Sequence, residues 1–400
     1  MTWRYLLTLS VATALTATLA TPASAAGETR WRADLTTVDA DDTGVTVRDG
    51  ALRLDRTAPA PASARRASTR TGFLVLDPQR LDAPANAVAA TVESTVPAGA
   101  EVAVDVRGAL GGDQWTEWVE ARPGAPAALP TEVGTVQVRL ALTAEADAPE
   151  VRRLDLRAFS QVNRSGDVAA EAAGLSYRVY ATREGLVGGT TANGHVIVAR
   201  DHFVALPSRR GLSSKDTGTY SVRVCASNGR CEWAPVWDVG PWNTKDDYWN
   251  PSSTREMWKD LAQGKPEAQA AYENGYNGGK DQFGRAVANP AGIDLGDGTF
   301  WDGLKLTDNS WVTVTYQWTG SGPAGVVRTA STPLNVRSSA SSTASQVGLA
   351  ANYAQVRVEC QVTGESVSGT QGTSNVWYRL AAGKFVAKAY VSGVSGATNC

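Results

Sequence analysis

The stretch Trp311-Val312-Thr313-Val314-Thr315-Tyr316-Gln317-Trp318 decides the fold class of the central region. Apolar and hydroxyl-bearing residues alternate along it, and β-branched and aromatic types dominate, which predicts a strand with one buried face. Four short apolar runs precede it, at 177–181, 195–199, 220–225 and 234–239, each separated by Gly, Asn or Asp turns. Several short strands punctuated this way predict a small barrel over residues 175–318. Between 253 and 276 the pattern changes to Glu, Lys, Ala and Gln, with Met257, Trp258 and Leu261 at helical spacing. That spacing predicts a helix limited by Pro266 and followed by a second short one, a helical insertion over about residues 243–290.

Outward from the barrel the chain stays mainly β. In residues 27–159, Val102, Val104 and Val106 alternate with polar or small neighbours, as do Val136, Val138, Leu140 and Leu142. This predicts antiparallel strands with one buried face, arranged as a β-sandwich. In layout the region resembles the jelly-roll modules found ahead of exported actinobacterial wall enzymes. Trp115 and Trp118 near a turn fit either sugar stacking or packing. Asp39-Ala40-Asp41-Asp42 lacks the later bidentate Glu of a calcium loop and reads as a solvated turn, so no metal site is expected. Polar and Gly-rich breaks at 160–174 and 319–330 read as linkers, and residues 331–400 form a last module.

The first 25 residues read as a secretory signal peptide: one early charge at Arg4, an apolar stretch, then Ala23-Ser24-Ala25 as an A-x-A cleavage signal. The apolar run falls short of the roughly 20 residues that span a bilayer, so no stable membrane insertion is expected. A net charge of -2 argues against a nucleic-acid partner. The four cysteines suit an oxidising compartment. Cys225 and Cys231 flank an Asn-Gly turn and are expected to bridge one hairpin, leaving Cys360 to Cys400. With two His in the chain and no zinc-ligand spacing, disulfides are favoured over metal. No H-E-x-x-H, G-x-S-x-G or P-loop pattern occurs, and no cofactor is expected.

Four pieces of the central region, Tyr180-Ala181-Thr182, Thr191-Ala192-Asn193-Gly194, Val236-Trp237-Asp238-Val239-Gly240-Pro241-Trp242 and Gly292-Ile293-Asp294-Leu295, occur in that order. Together they resemble the double-psi β-barrel shared by expansins, rare-lipoprotein-A lytic transglycosylases and family 45 endoglucanases. The resemblance implies a polysaccharide groove lined by Thr182, Asp238 and Asp294. A carboxyl group there can protonate a glycosidic oxygen or orient sugar hydroxyls. Trp237, Trp242, Trp249 and Trp301 are candidate sugar-stacking platforms. The residue types alone leave a second reading for both aspartates, as turn residues that bond local backbone N–H groups. The chain departs from the transglycosylase pattern at His195, which stands where that branch keeps an acid, and His202 is one residue out of step. Residues 243–291 also intervene between two pieces that normally lie close together.

The last module opens on Leu334-Asn335-Val336-Arg337-Ser338 and resembles a bacterial SH3 (SH3b) domain. That resemblance implies attachment to peptidoglycan, with Trp377 and Tyr378 as candidate contacts. The expectation is a secreted, wall-associated protein that binds or remodels peptidoglycan or a cellulose-like glycan without hydrolytic turnover. A glycan-cleaving enzyme using Asp238 and Asp294 is the first alternative. An exported protein-binding scaffold, such as a protease inhibitor, is the second.

Overall fold

The structure, a computed structural model, describes residues 27–58, 69–161 and 174–400. The expected leader and most of the expected 160–174 linker lie outside the described residues. The chain is mainly β, with short helical segments.

Residues 29–159 supply ten strands, all paired antiparallel. The two longest, Gln79–Thr95 and Ala127–Ala144, are paired to each other, and the register between them shifts at two irregularities. Hydrogen bonding is continuous through all ten strands, instead of dividing into the two separately paired sheets of a simple sandwich. The expected alternation appears in the burial: Val104, Val106, Val136, Val138, Leu140 and Leu142 are buried in one apolar cluster with Leu154 and Leu156.

Six strands then close a barrel: β1 (Ser176–Arg183), β2 (Val204–Leu206), β3 (Ser221–Ala226), β4 (Cys231–Val239), β5 (Ala291–Leu295) and β6 (Ser310–Tyr316). The ring runs β1–β5–β2–β4–β3–β6 and returns to β1. Pairings β1–β5 and β2–β4 are parallel, and the other four are antiparallel. Closure removes exposed sheet edges. Val179, Ala181, Val222, Val224, Ile293, Leu295, Val312 and Val314 fill the interior with their alternate neighbours turned outward. Each buried Val, Leu or Ile contributes roughly 1.5–3 kcal/mol.

The insertion between β4 and β5 is mostly turns. Its one α-helix, α1, spans Glu267–Asn274. The helix expected around Met257, Trp258 and Leu261 is absent, and those three side chains are only partly buried. Trp258 has φ +51°, a left-handed value that no α-helix accommodates. Polar groups order the segment instead: Arg255, wholly buried, pairs with Asp246, and the Asp247 carboxylate accepts the Glu256 backbone N–H at 2.7 Å.

The C-terminal strands do not stand apart. Gln346–Ala350 pairs in parallel with the start of β4, so barrel and last module share one eleven-stranded sheet. The expected 319–330 linker contains the strand Ala324–Val327, paired with Gln355–Arg357 and Val391–Ser392. Both expected disulfides are present, Cys225–Cys231 and Cys360–Cys400. Among the described residues no helix is long and apolar enough to cross a membrane.

Candidate functional site

Strand register brings the three motif residues together. Thr182 on β1 faces Asp294 on β5, Asp294 faces Ala205 on β2, and Ala205 faces Asp238 on β4. The β2–β4 ladder slips by one residue between Val204 and Ala205, which puts Asp238 in this row in place of Trp237. The two aspartates thus flank Ala205, with Cα atoms two strand spacings or about 9–10 Å apart.

Their environments differ. Asp294 is part-buried, and its Oδ1 accepts the Thr182 hydroxyl. Asp238 is wholly buried, and its Oδ1 accepts backbone N–H groups from Ala192 and Val239, each at 2.8 Å. This is the backbone-bonding role that residue type alone left open. Thr191-Ala192-Asn193-Gly194 is accordingly a turn strapped to β4. The Thr191 hydroxyl bonds the Asn193 side chain at 2.7 Å, and the Asn193 carbonyl accepts the hydroxyl of Thr43 from the first sheet at 2.9 Å. Gly194 has φ +89°, and a Cβ there would stand 2.5 Å from the Thr43 hydroxyl, so glycine is required twice over.

Both histidines are paired with carboxylates. His195 Nε2 lies 2.5 Å from Asp201, and its ring is 4.6 Å from that of Trp237. His202 Nδ1 lies 2.8 Å from the buried Glu232, which also accepts the Thr299 hydroxyl at 3.0 Å. Burial alone lowers the His202 pKa, but the adjacent Glu232 carboxylate, with Asp302 and Asp201, outweighs it and raises the value above 6.5.

The aromatic candidates divide. Trp249 is completely buried, with its indole N–H 2.6 Å from Glu117 of the first sheet. Trp237 is 6% exposed and donates to the Thr217 carbonyl at 2.8 Å. Trp377 and Tyr378 are 2% and 3% exposed, within the last module's interior. These four offer no ring face to a sugar, which corrects the sequence expectation. Trp242 and Trp301 are part-buried. Trp242 donates to Asn289 at 3.0 Å, and Trp301 already carries the guanidiniums of Arg183 and Arg200, each 4.7 Å from its ring centre.

Sequence reasoning passed over a better-placed pair. Tyr180 and Trp311 face each other across β1 and β6, part-buried, with ring centres 5.6 Å apart and edge to face. The signal was legible: Ala181 points into the barrel, so Tyr180 and Thr182 must both point out. Beyond β1, the segment from 186 to 198 folds back on itself and exposes Leu186, Val187, Val196 and Val198, between 46% and 57% each.

The acidic turn is also visible. Asp39, Asp41 and Asp42 bring one oxygen each within 4.8 Å of one another. Burial first, then hydrogen bonding and charge from Asp39, pushes Asp41 up to about 7.

Residues 175–315, the extent of the barrel, match a family described as a domain of unknown function (DUF8814). No curated protein and no solved structure matches the chain.

Proposed function

We propose that the chain is an exported, wall-associated protein whose barrel binds wall polysaccharide without hydrolysing it. One observation carries this reading: of the two motif carboxylates, only Asp294 reaches the surface, while Asp238 is enclosed and holds two backbone N–H groups. Hydrolysis by a carboxyl pair needs both groups at the scissile bond. The Thr182–Asp294 pair suits recognition instead, because a carboxylate and a hydroxyl fixed side by side orient sugar hydroxyls. The closed ring, with its two parallel and four antiparallel pairings, supports an expansin-like double-psi arrangement. The five-stranded path and apolar centre of the last module support the SH3-like reading.

Pull-down on purified peptidoglycan and on cellulose tests the reading. Retention by the intact protein, lost in Thr182→Val and Asp294→Asn without release of soluble fragments, is the expected result. Fragment release that disappears in Asp238→Asn would instead establish cleavage. A second reading is favoured by the exposed Leu186, Val187, Val196 and Val198, which form an aliphatic rim suited to a protein partner. Inhibition assays against secreted proteases decide it.

A further inference from the structure

The outer face of β1, β6 and β3 continues away from Thr182 and Asp294. Ser176, Arg178, Tyr180 and Thr182 alternate with the interior residues of β1, so all four point outward over about 20 Å of strand. Across β6, Tyr180 pairs with Trp311, Arg178 with Thr313, and Ser176 with Thr315, which in turn pairs with Arg223 on β3. The Arg178 guanidinium lies 4.6 Å from the Trp311 ring centre, and the Arg223 guanidinium donates to Thr315 at 3.1 Å.

Arg178 and Arg223 form no ion pair with any described carboxylate; Glu359, itself paired with Arg379 at 2.9 Å, acts on Arg223 from further away. Elsewhere Arg139, Arg209, Arg210, Arg255 and Arg285 have carboxylate partners, while the buried Arg107 and Arg357 are held by amide and carbonyl oxygens. Two guanidiniums without a paired carboxylate, Arg178 on β1 and Arg223 on β3, therefore stand on one outer face next to Tyr180 and Trp311. Arg178 is exposed and Arg223 only partly buried, so both are available to a ligand lying on the face.

From this we infer that the face is a binding track for an anionic polysaccharide, with a sugar ring against Tyr180, braced edge to face by Trp311, and acidic groups met by Arg178 and Arg223. The inference rests on the glycan-binding reading and adds the charge class of the polymer. Carboxylates and phosphodiesters share the required chemistry, since guanidinium forks match both.

The test measures binding of the full mature chain to polygalacturonate, to a poly(glycerol phosphate) and to neutral dextran, at low and at high salt. Tighter binding to an anionic polymer than to dextran by at least tenfold, weakened as salt rises, is expected; whichever anionic polymer is bound identifies the acidic group. Arg178→Glu should lose at least tenfold on that polymer, Arg178→Lys should keep most of it, and Trp311→Ala should weaken binding to any sugar chain. Arg178 is exposed, so the unfolding midpoint of Arg178→Glu should match the parent, which separates lost binding from lost folding. Equal affinity for dextran and the anionic polymers, or an Arg178→Glu protein that binds like the parent, overturns the track. If those results accompany retention on wall glycan that still depends on Asp294, the track fails and the groove survives. Retention on no polymer at all removes both.

Discussion

Replacing Asp238 separates a scaffolding carboxylate from a ligand-facing one. Its Oδ1 holds the Ala192 and Val239 backbone N–H groups at 2.8 Å each, inside a site with no exposure. A hydrogen bond to a charged group contributes about 1.5–3 kcal/mol, so Asp238→Ala should cost about 3–6 kcal/mol. Against a total stability of roughly 5–15 kcal/mol that is a large fraction. For a cooperative unit of about 150–250 residues it corresponds to an unfolding midpoint lower by roughly 6–24 °C. Asp238→Asn keeps an acceptor oxygen but loses the charge, and charged bonds are about twice as strong as neutral ones, so about half the loss is expected. Thermal unfolding followed by circular dichroism, alongside polymer pull-down on the same samples, reads both quantities. The reasoning is refuted if Asp238→Ala unfolds at the parent temperature yet no longer binds polymer, because Asp238 would then act on ligand and not on the Thr191–Gly194 turn.

Further expectations rest on other contacts. Asp294→Asn should shift the unfolding midpoint little, since Asp294 is part-buried, while Thr182→Val, at a buried position, replaces the hydroxyl by a methyl of the same shape; each should reduce polymer retention at least tenfold in a binding isotherm. Glu117 accepts Trp249 and Trp318 at 2.6 Å and Asn250 at 2.7 Å; Asn250 keeps Asp247 at 3.0 Å, so Glu117→Ala strands two buried indole donors. At about 1–3 kcal/mol per stranded group, a loss of at least about 2 kcal/mol should appear in denaturant titration. The Cys360–Cys400 bridge closes a loop with a separation of 40 residues. Its removal as Cys360→Ala/Cys400→Ala should cost on the order of 4 kcal/mol, seen as a lower denaturant midpoint. His202 has a raised pKa in the fold, so its pairing with Glu232 stabilises fully below about pH 6.5 and fades as pH rises through the raised value. The buried Asp246 and Glu267 carboxyls, pushed by burial to about 6 and about 7, act in the same direction. Stability should fall from pH 5 to pH 8, and His202→Gln should flatten part of that slope.

Much of the barrel was legible because closed β structure writes period two into each strand, as in Tyr220–Cys225 and Trp311–Trp318. The hairpin disulfide was legible because Asn228-Gly229 marks its turn. What local pattern does not encode is which aromatic a distant segment will cover. Trp249 disappears because Glu117, 132 residues earlier, meets its indole N–H. Met257, Trp258 and Leu261 misled for the converse reason: their helical spacing is real, but the segment's buried anchor is Arg255, a charged residue that hydrophobic periodicity ignores. Asp238 lay between. Its type and setting suited either role, and only the approach of the Ala192 N–H selects one.

The same long-range contacts explain why the barrel carries so large an insertion. Arg209 and Arg210, just after β2, reach Asp105 and Glu120 of the first sheet on one side and Asp247 and Glu256 of the insertion on the other. Arg139 of the first sheet joins the group through Asp105 at 2.8 Å, at 3% side-chain exposure for both partners. Charges buried this deeply stabilise only while every partner is in place, and removing one leaves the others uncompensated. The insertion is therefore part of the clamp that fixes the first sheet to the barrel, and it supplies the carboxylates that Arg209 and Arg210 require. With the last module fixed at the opposite edge through β4, the barrel is held from two sides. Its outer face is exposed at Ser176, Arg178 and Thr313 and is covered at Thr315 and Ser221, where Gln355 and Arg357 of the last module bond Ser221 and Gln317 at 2.9 and 2.8 Å. Truncating the last module should therefore uncover buried barrel residues and lower the unfolding midpoint of the barrel itself.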